Sequence, residues 1–166
     1  MRNKVSRIII DTNLWISFLI TKDYSKIDKI LFSRDGILVF STELLEEFLE
    51  VANRPKLRRF FSQTDLENII ETIDEYADFV SVATQIDVCR DSKDNFLLSL
   101  SIDGNADFLL TGDKDLLDLK KFGETAIITF YLFFERPKPM ALVTKLPTAY
   151  TAQYFGINCA GNNTHG

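Results

Sequence analysis

Apolar and polar positions along the chain fall into blocks that alternate between strand-like and helix-like spacing. Residues 5–10 hold an uninterrupted Ile8-Ile9-Ile10, the pattern of a central parallel strand covered on both faces. Residues 14–20 and 25–33 predict helices, with Ile27, Ile30 and Leu31 at helical spacing, and Gly36 marks the turn into a strand over 37–40. Ser41 or Thr42 is suited to cap a helix over 42–52, and Pro55 stops that pattern. Thr64-x-x-Glu67 reads as a capping box for a helix carrying Ile69, Ile70, Ile73 and Tyr76. A third strand follows over 79–82, and Asp91 or Ser92 caps a helix from about Asp94 to Asp103. Gly104-Asn105 turns the chain into a fourth strand over 106–111. A short helix over 113–119, a fifth strand over 126–129 and a helical piece over 130–135 complete the pattern. Strands alternating with helices imply βαβ units, right-handed crossovers and a mostly parallel sheet.

With 166 residues, 46% of them hydrophobic, the chain suits one core. The domain is expected over 1–146, because periodicity is lost after Pro147. Residues 147–166 read as a C-terminal tail, mobile or docked on a partner through Tyr150, Tyr154, Phe155 and Ile157. A formal net charge of -5 excludes a broad cationic face of the kind that wraps DNA. Cys89 and Cys159 form no C-x-x-C pair, which favours reduced thiols and a cytoplasmic location. Arg2, Lys4 and Arg7 ahead of residues 8–20 imitate a signal peptide, but Asp11 and Asn13 break the apolar run and no small-residue cleavage site follows. The same two polar residues exclude a membrane span.

The topology would gather four acids at one sheet edge: Asp11 after the first strand, Glu47 early in a helix, Asp94 opening another helix, and Asp113 after the fourth strand. That edge is where open α/β sheets bind ligands. Helix 42–52 carries four glutamates, and at about 100° per residue Glu47 lies nearest the border of the apolar sector, while Glu43, Glu46 and Glu50 point further toward solvent. Each acid alone also suits a cap or a solvated charge. Asp11 is the hardest to read that way, since an unpaired carboxylate behind three isoleucines is costly. Like charges about 4 Å apart repel by about 4 kcal/mol at an effective dielectric of about 20, so a carboxylate cluster needs protons or cations.

Hard oxygen donors without His or Cys select Mg²⁺ or Mn²⁺ and suit phosphodiester hydrolysis. The lone His165 leaves no histidine base, Ser-His triad or His-rich zinc site. Asn13, Thr111, Asp91 and Asp115 are candidates for outer support of the acids. Arg54, Lys56, Arg58 and Arg59 form the one basic run, able to steer a phosphate backbone or simply to be solvated.

These residues carry a family resemblance. Ile9-Ile10-Asp11-Thr12-Asn13, Ser41-x-x-Leu44-Leu45-x-Glu47 with Arg54-Pro55-Lys56, Asp91-x-Lys93-Asp94-Asn95 and Leu110-Thr111-Gly112-Asp113-Lys114-Asp115-Leu116-Leu117 occur in the order seen in PIN-domain ribonucleases. The chain resembles in particular their bacterial and archaeal toxin-antitoxin group, over about residues 7–135. The resemblance implies a three-layer α/β/α fold with a central five-stranded parallel sheet, and Asp11, Glu47, Asp94 and Asp113 as a catalytic quartet binding Mg²⁺ or Mn²⁺. It further implies cleavage of RNA, a homodimer, and an antitoxin protein that plugs the site.

A haloacid-dehalogenase-type phosphatase would need an aspartate where Asn13 stands. A receiver domain would need adjacent acids and a lysine after strand five, and a dinucleotide-binding fold a glycine-rich turn, none of which is present. The rival from another class is a non-catalytic RNA-binding or assembly module that keeps the fold without turnover.

Overall fold

The computed structural model describes residues 4–32 and 36–137. The expected tail at 147–166, with Cys159 and His165, lies outside the described residues. The main unit extends to Phe134.

Strand β1 (Ser6–Ile10) places all three isoleucines in the core with essentially no exposure, as two covered faces require. Helices α1 (Thr12–Thr21) and α2 (Ser25–Phe32) lead into β2 (Gly36–Phe40). A Cβ at Gly36 would lie 2.5 Å from Ile8 Cδ1 and 3.2 Å from Ile30 Cγ2, so a larger residue there would have to displace both side chains. Helix α3 (Thr42–Ala52) is capped by the Ser41 hydroxyl, which accepts the Leu44 amide.

Pro55 then opens a further short helix, α4 (Pro55–Arg58), because its missing N–H costs nothing at a first helical position. Helix α5 (Gln63–Tyr76) begins two residues earlier than the sequence suggests: its capping box is Ser62 with Asp65, not Thr64 with Glu67. It runs straight into β3 (Ala77–Phe79), which therefore also starts earlier than expected. Helix α6 (Ser92–Asp103) is capped by Asp91, β4 (Phe108–Leu110) follows, and Asp113 caps α7 (Lys114–Leu119). The remaining elements are β5 (Lys121–Phe122), β6 (Thr125–Ile128) and α8 (Phe130–Glu135).

The sheet runs β3-β2-β1-β4-β6-β5. Five strands are parallel, in line with the expectation, and β5 is an additional antiparallel edge strand. Two residues carry no periodicity, so the sequence could not announce it. Gly123, at φ +56°, makes the tight reversal between β5 and β6 possible. On one face of the sheet Trp15 meets Phe18, Phe40 and Phe48 at centroid distances of 5.6–6.4 Å, locking α1 and α3 together over β2.

This order contains one reversal. From β1 the chain moves outward to β2 and β3, then crosses back to lay β4 on β1's other side. Ligand crevices in open α/β sheets lie at such switch points, outside the carboxyl ends of the two diverging strands. Among the described residues no helix is long and apolar enough to cross a membrane.

Candidate active site at the switch point

Asp11 and Asp113 leave the carboxyl ends of β1 and β4, the two strands that flank the reversal. The Asp11 amide continues the sheet ladder by donating to the Leu110 carbonyl at 3.0 Å, which fixes the position of its side chain. That carboxylate is 8% exposed. One oxygen accepts the Asn13 amide at 3.4 Å as the cap of α1, and the other accepts the Thr111 hydroxyl at 2.7 Å. Thr111, itself buried, also accepts the Asp113 amide at 3.0 Å. A single hydroxyl thus ties the two strand ends together. Burial raises the Asp11 carboxyl above the ordinary carboxylate range and Asp113 adds to it, against the lowering bonds from Thr111 and Asn13.

Asp113 uses one oxygen to cap α7, accepting the amides of Asp115 at 2.8 Å and Leu116 at 3.3 Å. Asp94 enters from the first turn of α6. Its carboxyl is pushed up to about 6, by desolvation first and then by Asp113, Asp91, Asp11 and Asp115 in that order. Asp11, Asp94 and Asp113 therefore feel one another's charge, with the exposed Asp91 and Asp115 at the rim. Asp91 accepts the Lys93 amide as the α6 cap. Asn13 takes part through its backbone amide, and its exposed side chain points to solvent.

Glu47 is the half-buried glutamate of α3, while Glu43, Glu46 and Glu50 are exposed, as the helical angle implies. It is not among the leading charges acting on Asp94 or Asp11. Its Oε1 is instead 3.3 Å from Lys93 Nζ. Among the described residues no three acidic, cysteine or histidine side chains stand close enough together to hold an ion as they are placed. The donor chemistry nevertheless fits a hard divalent cation, since every candidate is a carboxylate oxygen and three of the carboxylates lie in mutual electrostatic range without a neutralising partner among themselves. An ion brought to Glu47 would compete with Lys93 for its carboxylate.

Two residues at the site went unweighted in the sequence. Lys93 occupies the first turn of α6, where a cation opposes the helix dipole, and that mismatch was the available signal. Asn95 is buried and clamps the preceding loop: its Oδ1 accepts the amides of Val88 and Cys89, and its Nδ2 donates to the Cys89 carbonyl. No local pattern reveals such a contact. The Cys89 thiol is pushed up by burial, then by Asp94, Asp115, Asp113 and Asp91, so it remains protonated beside the acids.

The basic run spans α4 and the residue on either side of it, and Arg54 and Arg58 make polar contacts within the fold. Arg54 is 3.4 Å from Glu50, and Arg58 donates to Gln63 at 3.0 Å while lying over the Phe61 ring. Arg59 stacks on the exposed Phe60 at 4.9 Å, and Lys56 is exposed.

In comparison with known proteins, residues 7–115 match the family model of the PIN domain, a span that runs from β1 into α7 and includes all four candidate acids. No curated protein matches the chain.

Proposed function

The chain belongs to the PIN-domain family, whose members are generally nucleases, and from that premise we propose that it is a Mg²⁺- or Mn²⁺-dependent endoribonuclease. The observation supporting this most is Thr111 bridging Asp11 and Asp113 at the switch point, with Asp94 pushed up to about 6 beside them. Structural caps do not need to be brought together in this way.

In this reading Asp11, Glu47, Asp94 and Asp113 hold the cation. A bound cation would supply a water of lowered pKa and would stabilise the leaving oxygen of the phosphodiester. The protein contributes orientation. Thr111 keeps one Asp11 oxygen turned toward β4, and the Asn13 amide fixes the other. Asp113 is held in place by the amides of α7, and Asp91 and Asp115 would accept from waters around the cation. Asp94 must release its proton before it can act as a ligand.

We extend the reading to the toxin component of a toxin-antitoxin pair, a homodimer in the cytoplasm with an antitoxin closing the site. The sequence motifs shared with that group support this. A second reading, a non-catalytic RNA-binding or assembly module, draws on the Lys93-bound state of Glu47 and the net charge of -5.

Purified protein incubated with a mixed pool of single-stranded RNA and Mn²⁺ decides between them. Cleavage that Asp11→Asn abolishes supports the nuclease. Metal binding without cleavage of any RNA supports the assembly module, and equal activity in wild type and variant identifies a contaminant.

A further inference from the structure

A groove between α3 and α6 is lined by Glu43, Glu46, Glu47 and Glu50 on one side and by Ser92, Lys93 and Phe96 on the other. Among the described residues, Lys93 is the only cation in that lining. Its side chain is 51% exposed, and it reaches across to Glu47, which is 21% exposed. It also immediately precedes Asp94 on the first turn of α6, where the helix dipole disfavours a cation. A lysine in that position gains little from its own helix, and the contact the structure gives it is with a candidate metal ligand on another one.

We propose that Lys93 is a resident counter-ion of the site, exchanging Glu47 for an RNA phosphate when a divalent cation takes Glu47. The inference rests on the nuclease reading above and adds to it a phosphate-positioning residue and an order of events. While Lys93 holds Glu47, the ammonium competes with the metal for that carboxylate. Once the cation takes Glu47, Lys93 is left half-exposed beside Asp94, with only the exposed Glu43, Glu46 and Glu50 across the groove. A phosphate oxygen of the substrate backbone is the partner its chemistry suits. Metal and RNA then favour each other's binding through Lys93, and this coupling must be reciprocal.

Lys93→Gln separates the two halves of the idea because it should move them in opposite directions. Loss of a partly exposed competing ion pair should tighten Mg²⁺ binding about two- to fivefold, read from the metal dependence of the melting temperature. Loss of one phosphate contact should raise KM for a short mixed-sequence single-stranded RNA with kcat nearly constant. It should also reduce the slope of log affinity against log salt by about 0.7. Lys93→Arg, which keeps the charge, should restore the salt slope, and the metal-free melting temperature of each variant reports on folding.

A purely structural lysine would lower stability without tightening metal binding or changing the salt slope. That result, or wild-type behaviour of Lys93→Gln in both assays, overturns the inference. Failure of the wild-type protein to bind metal and cleave RNA overturns instead the nuclease reading beneath it.

Discussion

The hydroxyl of Thr111 donates to Asp11 across 100 residues of sequence at 2.7 Å, in a buried setting, at the point where the sheet reverses its order. It is the contact that turns two strand ends into one site. Its donor partly offsets the desolvation that raises the Asp11 carboxyl.

Thr111→Val keeps the shape and removes the donor. The Asp11 carboxyl should rise further, so the metal-free variant should lose about 1–3 kcal/mol at neutral pH. The loss should shrink at low pH, where Asp11 is protonated in both proteins. Urea denaturation at two pH values measures this, and a metal titration should show a weaker response than wild type. Thr111→Ser should behave like wild type. Unchanged stability together with an unchanged metal response would mean that the hydroxyl does not orient Asp11.

Asp94 predicts a pH dependence. Its folded-state carboxyl is pushed up to about 6 from the ordinary aspartate value of 3.8, so between those values the native state holds more protons than the unfolded chain. Stability of the metal-free protein should therefore fall as pH rises from about 4 to about 6, and level off above. Asp94→Asn should lack that decline. Added Mg²⁺ or Mn²⁺ should reverse it in the wild type, because the cation binds the deprotonated form. Melting curves across pH with and without metal test both parts; parallel curves for wild type and variant refute the assignment.

Asn95→Ala removes three hydrogen bonds from the 88–89 loop and strands two amides and a carbonyl. A cost of about 1–3 kcal/mol is expected from denaturant midpoints, since the stranded groups are only part-buried and the amide of the exposed Val88 can turn to water. Amide exchange should accelerate at Val88 and Cys89 before the rest of the molecule. A cost below 0.5 kcal/mol, roughly that of an ordinary surface change, would show the clamp to be dispensable.

The two arginines at the end of the basic run should separate by phenotype. Arg58→Ala loses the Gln63 bond and the packing on Phe61, for about 1 kcal/mol of stability. Arg59→Ala should leave the melting temperature unchanged and weaken RNA binding with a shallower salt dependence. Fluorescence anisotropy in a salt series distinguishes them; a loss of stability in Arg59→Ala alone would reverse the assignment.

The fold was readable where pattern length exceeded local ambiguity. The Ile8-Ile9-Ile10 run, the helices led by Ser41 and Asp91, and the five parallel strands follow from periodicity and capping chemistry, which act over a few residues. The exposure difference between Glu47 and its three neighbours also follows, from helical angle alone. Helix α5 starts earlier than Thr64-x-x-Glu67 implies because Ser62 and Asp65, at the same spacing, form the capping box instead. Strand β5 was missed because two residues cannot express a period.

The sequence by itself determined which residues could serve the site: its donors are carboxylates because their identities are written in the chain, and their places at strand and helix ends follow from local rules. Only the tertiary structure decided how they are engaged. Thr111 turning to Asp11, Asn95 closing on the 88–89 loop and Lys93 taking Glu47 are contacts between side chains whose distances depend on how sheet and helices pack. Local periodicity carries no term for a charge brought close by folding, so those partnerships become visible only when the strands are laid side by side.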